Sequence, residues 1–202
     1  FGGLRIGGIL GINILQGRHW YAGNPGSPNN DMVKRLGVYG GNFGVYGGYY
    51  VELGSSKFVL GAEAYYLRFS GNANVQLARL SSAVEGQVNI KHTSSLGAAV
   101  VVGMMMNPKI FVYVKGGIET ARFQMKYTFT IPGIQSSQTY NPVFHPLVPT
   151  IGGEYKFATN LLIGLEASYP FYKRFKANLS PPRAFHYKPG ERRAMLRLTY
   201  LF

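Results

Sequence analysis

Two groups of side chains in this chain could do chemistry. The first is "HTS", where His92 and Ser94 flank one threonine. In a strand that spacing puts both on one face, an imidazole beside a hydroxyl, the pairing of a general base with a nucleophile. Read along its segment the pair points outward, and Ser95 follows it. The second group is carboxylate: Glu52, Glu63, Glu119, Glu154 and Glu166 all fall on the face opposite the apolar residues of their segments. Paired carboxylates can move protons to and from a substrate. Other reactive motifs do not occur. His19, His145 and His186 lack metal-ligand spacing, and neither G-x-S-x-G nor a phosphate-binding loop is present. "GVYGGNFGVYGG" is rich in glycine, but no helix follows it, so it does not read as a nucleotide loop. No cofactor and no metal is expected.

The elements that must hold these groups are strands. The 202 residues suit one domain, 1–202, and 46% are apolar, enough to fold. Only 14% are charged, below the usual quarter of a soluble domain. The 27 Gly, 15 Tyr and 13 Phe favour strands and turns over helices. Cysteine is absent, which excludes disulfides and thiolate metal sites. Residues 1–20 lack the charged start and cleavage pattern of a secretory signal, as expected of a mature or trimmed product. The longest apolar run, Leu96–Met106, is too short for a membrane helix.

Alternation dominates instead. Leu4, Ile6, Leu10, Ile12 and Ile14 share one face of the first segment, and Arg5, Gly7, Ile9, Gly11 and Asn13 share the other. Comparable segments are predicted at 3–17, 37–53, 57–70, 88–106, 109–127, 143–157, 161–175 and 191–202. "GSSK", "NPK" and "ATN" make tight turns between them, alternating with long links at 18–36, 71–87, 128–142 and 176–190. The link 71–87 has room for a further short pair of strands. Tight turns at one end and long loops at the other outline an all-β, transmembrane up-and-down antiparallel barrel of eight strands, with periplasmic turns and extracellular loops. A soluble barrel also alternates, but its outer face would carry Lys, Glu and Thr. Here the polar face is crowded with glycine, which suits a narrow lumen, and the other face is too apolar for water.

The final stretch, "RRAMLRLTYLF", places Ala194, Leu196, Leu198, Tyr200 and Phe202 on one face. A terminal aromatic above alternating apolar residues resembles the C-terminal signal of bacterial outer-membrane proteins. The resemblance implies that Leu196, Leu198, Tyr200 and Phe202 are read by the barrel-assembly machinery. In pattern and architecture the whole chain resembles the small eight-stranded class of OmpA transmembrane domains and opacity proteins. That implies integral residence in a bacterial outer membrane, as a monomer or as one subunit of a larger assembly. His92 and Ser94 also resemble the His-x-Ser pair of a lipid A deacylase family. That family has Asn directly after its serine and an outward glutamate further on; this chain has Ser95 and no such glutamate. The chain is therefore read as non-catalytic.

The net charge is +13, from 21 Lys and Arg against 8 Asp and Glu, and it calls for a polyanionic neighbour. Sorting by face divides the charges. Arg5, Lys115, Lys156, Arg193 and Arg197 point inward with the five glutamates, Glu52, Glu63, Glu119, Glu154 and Glu166. Charges in a narrow lumen must pair, so a salt-bridge network is expected there, as core or as a gate in an ion path. Arg18, Arg68, Arg122, Lys126, Lys173 and Arg192 point outward, at a height that suits a ring near the outer-leaflet boundary. Tyr66, Tyr169, Phe171 and Phe175 lie nearby as an aromatic girdle. Such a ring suits lipopolysaccharide phosphates, or simple snorkelling of long cations. The first and last loops, with Lys34, Arg35, Lys176, Arg183 and Lys188, could meet a surface polyanion or a partner protein. No nucleic-acid motif is present. A membrane-anchored platform is the leading reading, with a narrow channel second and a lipid A-modifying enzyme third.

Overall fold

The period-two alternation of the sequence becomes hydrogen-bonded strand along almost the whole chain. A computed structural model describes the backbone of residues 1–22, 34–54, 56–81, 84–131, 134–173, 175–179 and 183–202. Its strands are β1 (Gly3–Ala22), β2 (Lys34–Glu52), β3 (Phe58–Ser70), β4 (Ala73–Ser81), β5 (Val84–Asn107) and β6 (Ile110–Ile131). They continue with β7 (Ile134–Tyr140), β8 (Val143–Phe144), β9 (Leu147–Lys156), β10 (Leu161–Ser168), β11 (Phe175–Leu179) and β12 (Arg183–Leu201).

These segments build eight staves. β3 and β4 both pair with β5, β7 to β9 all pair with β6, and β10 and β11 both pair with β12. The breaks within staves have local causes. Gly71, at φ +143°, separates β3 from β4. Pro142, Pro146 and Pro170 interrupt the staves of β7–β9 and β10–β11, because proline has no N–H to give to a ladder. Their neighbours still use what proline does have. The N–H of Phe123 donates to the Pro142 carbonyl at 3.0 Å, and that of Glu119 to the Pro146 carbonyl at 3.1 Å. β1 pairs with β2 on one side and β12 on the other, and this closes the sheet into an antiparallel eight-strand barrel.

At one end the connections are tight. Gly54, at φ +60°, lets the chain reverse after β2, and Lys109 N–H donates to Asn107 Oδ1 at 2.8 Å in the β5–β6 turn. At the other end the expected long links are largely strand. β1 runs to Ala22, β2 starts at Lys34, and Ala73↔Ile90, Val75↔Val88 and Thr128↔Ser137 are paired positions. The space in 71–87 does hold a strand, β4, but it extends an existing stave. Polar stretches such as "IQSSQTY" lack a hydrophobic face, so their strand character comes from pairing with β6 and leaves no alternation in the sequence. The loop "NPGSPNN" lies outside the described residues.

The two faces differ as an oily exterior requires. Leu10, Ile12, Val45, Leu96, Ile118, Ile151 and Leu165 are between 60% and 68% exposed. Inside, glycines make room for rings. A Cβ on Gly97 would strike the Tyr65 ring, and one on Gly152 the Tyr113 ring. Three apolar clusters stack along the lumen. The cluster by the tight turns includes Tyr50, Val101, Phe111 and Leu162; the middle one includes Ile9, Leu67, Phe69 and Met195; the far one includes Ile90, Phe123, Met125, Phe144 and Tyr172. Charged side chains fill the levels between them.

Candidate functional site

The lower charged cluster contains three cations and three carboxylates. Arg5 Nη1 lies 2.7 Å from Glu154 Oε2, and Lys115 Nζ lies 2.9 Å from Glu63 Oε2. Arg197 joins Glu63 to Glu166, and Lys115 also contacts Glu166. Tyr113 donates to Glu166 at 2.7 Å, and Tyr50 donates to Glu63. The Arg5 guanidinium sits 3.6 Å from the Tyr50 ring centre, and that of Arg197 is equally close to Tyr46. Arg5 and Arg197 have no exposed surface. Every charge here has a countercharge and hydrogen bonds, the condition under which buried ions are tolerated.

The upper cluster is centred on Arg193. Its Nη1 and Nη2 form a fork on Glu119, at 2.6 and 3.0 Å, and Nη2 also reaches Glu191 at 3.0 Å. Tyr172 donates to Glu191 at 2.6 Å, Asn13 donates to it at 3.1 Å, and Tyr65 donates to Glu119 at 2.9 Å. Between the two clusters a cavity of about 20 Å³ is lined by residues including Glu63, Lys115, Glu119, Glu166 and Ser168. It has room for about one water molecule.

Two residues of the expected lumenal set stand apart. Glu52 is exposed at the tight-turn rim, accepting from the Gly2 N–H at 2.9 Å and contacting the Phe1 amino group. Lys156 is half-buried at the same end, where water reaches both. Glu191, absent from the expected lumenal set, is 1% exposed and belongs to the lumen. It opens the predicted last segment and shares the parity of Arg193 and Arg197, which is the signal the sequence offers.

His92 requires a correction. It faces the lumen at 2% exposure, not the lipid. The pairing of β5 with β6 shifts between His92 and Ser94, and this bulge reverses the parity of everything above it. His92 Nε2 is 3.0 Å from Ser95 Oγ, and Nδ1 is 3.3 Å from Glu191. Ser95, His92 and Glu191 thus have the connectivity of nucleophile, base and orienting acid. The three are closed off from solvent. Ser95 has no exposed surface, and the imidazole is stacked between Phe69 at 3.7 Å and Phe123 at 4.4 Å. The triad ties β5 to β12 across the lumen. Ser94, half-buried, points elsewhere.

The outward cations form the second constellation. Arg68, Arg122, Lys126, Lys173 and Arg192 are exposed, and none forms an ion pair among the described residues. The side chains of Arg18, Phe175 and the loop bases Lys34, Arg35, Lys176 and Arg183 lie outside the described residues; Lys188 is exposed. Tyr66, Tyr169 and Phe171 are exposed on the outer wall, the last two in an edge-to-face pair at 5.1 Å. Leu196, Leu198, Tyr200 and Phe202 also face outward, 42–65% exposed.

No protein-family model matches the chain, and no curated protein matches it. Solved structures do. The outer membrane protein OprG of Pseudomonas aeruginosa aligns over 100% of this chain and 96% of its own, at 13% identity and a TM-score of 0.62. Ail, the attachment invasion locus protein of Yersinia pestis, aligns over 100% of both chains at 15% identity and a TM-score of 0.40. Neisserial surface protein A aligns over 96% of this chain and 97% of its own, at 8% identity and a TM-score of 0.42. At such identities the OprG likeness speaks for fold alone, and the two lower scores carry no argument. Strand number, closure and the inversion of faces give this chain the architecture of the small eight-stranded outer-membrane β-barrels, OmpA-like and opacity-like in outline.

Proposed function

We propose that the protein is an integral, non-catalytic component of a bacterial outer membrane, a platform whose outward cations and basic loops engage phosphate-bearing lipid or another surface polyanion. The carrying observation is how the charges are partitioned. Among the described residues the lumen takes five of the chain's eight acids, Glu63, Glu119, Glu154, Glu166 and Glu191. It takes only four of 21 basic residues, Arg5, Lys115, Arg193 and Arg197. Most of the acids are thus inside, and the positive excess belongs to the rest of the chain. Bases on a lipid-facing wall without protein counterions are matched by lipid phosphates. Leu196, Leu198, Tyr200 and Phe202 form the outward stripe that we assign to recognition during barrel assembly.

The test is co-purification. A variant with Arg18, Arg68, Arg122, Lys126, Lys173 and Arg192 all changed to Gln should fold, yet retain less than about a tenth of the wild-type lipopolysaccharide. Undiminished lipopolysaccharide would overturn the reading. The channel reading has less support, because charged clusters and packed rings occupy the lumen at successive levels. In planar bilayers the protein should give no conductance steps above baseline. Steady steps of a defined size would favour the channel instead.

A further inference from the structure

We infer that Arg68, Ser94 and Arg122 form a binding site for one phosphomonoester, carried on the headgroup of an outer-leaflet lipid. The inference rests on the platform reading above and narrows it to a single place. The three residues occupy one row across three staves: Arg68 of β3 is opposite Ser94 of β5, and Ser94 is opposite Arg122 of β6. Adjacent strands are about 4.8 Å apart, so the two arginine backbones stand about 10 Å apart with the serine between them.

Three observations point to an anion here. Both arginines are exposed on the outer wall and neither has an ion-pair partner among the described residues. An anion lying between two exposed cations of one face is attracted by both and offsets their mutual repulsion. No described acid can be that group, since five are in the lumen, Glu52 is at the tight-turn rim, and Glu85 is opposite Thr130, eight positions from Arg122 along β6. Second, the Ser94 hydroxyl has no hydrogen-bond partner among the described residues, while its neighbour Thr93 is engaged, donating to the Arg122 carbonyl at 2.8 Å. Third, the bulge of β5 falls at this level, between His92 and Ser94, and turns Ser95 inward while Ser94 stays half-buried between the arginines. Bulges re-aim side chains in this way. Two planar guanidinium forks and one hydroxyl donor suit a dianionic phosphomonoester, which has three terminal oxygens and about two charges. A phosphodiester has one charge and fits the row less well.

The experiment uses the folded protein in nanodiscs and measures binding of lipid A, lipid A stripped of its phosphates, and inorganic phosphate. Wild type should bind lipid A about tenfold or more tightly than the dephosphorylated form. The double variant Arg68→Gln/Arg122→Gln should lose that preference, and Ser94→Ala should lose part of it. Lys57→Gln/Lys109→Gln, in the tight turns at the other end of the barrel, should keep it. Retained heat-modifiable mobility on gels shows that each variant is folded. Inorganic phosphate should not compete at millimolar levels. If it binds alone with comparable affinity and the double variant loses it, a free ion is the ligand and the lipid assignment is overturned. If the double variant keeps the full preference while the six-site variant loses lipopolysaccharide, this site is wrong and the platform reading stands. If no variant changes anything, both fall.

Discussion

Replacing Arg197 by methionine should cost about 3–5 kcal/mol of stability and leave little folded protein in mild denaturant. Arg197 has no exposed surface, and its guanidinium contacts Glu63, Glu166 and the hydroxyl of Tyr113 while stacking on Tyr46. Methionine fills much of the volume but removes a charge and several donors. Glu63 and Glu166 would then share Lys115 alone, two carboxylates against one ammonium in a space without bulk water. The cost comes mainly from the stranded carboxylates, not from loss of a favourable pair. Arg197→Lys should fall between, since it restores charge without the fork. The measurement is the urea midpoint of the heat-modifiable band in detergent micelles. A methionine variant within about 0.5 kcal/mol of wild type would mean that the cluster is not buried as described. Arg68→Gln, on the outer wall, should stay within about 0.5 kcal/mol in the same assay.

Leu165→Arg should be the costliest change on the outer surface, destabilising the protein by about 2–4 kcal/mol in lipid bilayers. Leu165 is 68% exposed in the protein alone. It lies in β10 between Leu196 of β12 and Gly153 of β9. In a water-soluble protein an arginine at so open a position would change stability by about 0.5 kcal/mol at most. The penalty arises only if the residue faces hydrocarbon near mid-membrane, where the charge has no partner and little water. Reversible unfolding from phospholipid vesicles measures it. A variant as stable as wild type there would place this wall outside the membrane interior and undo the assignment of faces.

Much of the architecture was legible because it is local. A period of two needs no knowledge of the partner strand, so Leu4, Ile6, Leu10 and Ile12 could be put on one wall and Arg5 and Ile9 on the other from order alone. The tight turns were equally local, resting on glycine, proline and asparagine. Once the faces were set, Glu63, Glu119, Glu154 and Glu166 followed by parity, whereas Glu52 lies at the open rim and Glu191 was not among them. Parity fails where the backbone inserts a residue. His92 lies above such a bulge, and the alternation there gave no warning. Below the bulge, Leu96, Ala98 and Val100 are apolar because they face outward; above it, Val88 and Ile90 are apolar because the upper lumen is lined with hydrocarbon. Even positions are greasy on both sides for opposite reasons.

What the amino-acid order determined by itself was which side chains share a wall, where the chain reverses, and that acids sit inside while bases outnumber them elsewhere. The tertiary structure alone decided who meets whom. Arg197 reaches Glu63 across 134 positions of chain, Ser95 is joined through His92 to Glu191, and Ser94 stands between two arginines from other strands. The physical reason is that strand periodicity is a property of one backbone, whereas register, bulges and closure depend on hydrogen bonds between backbones.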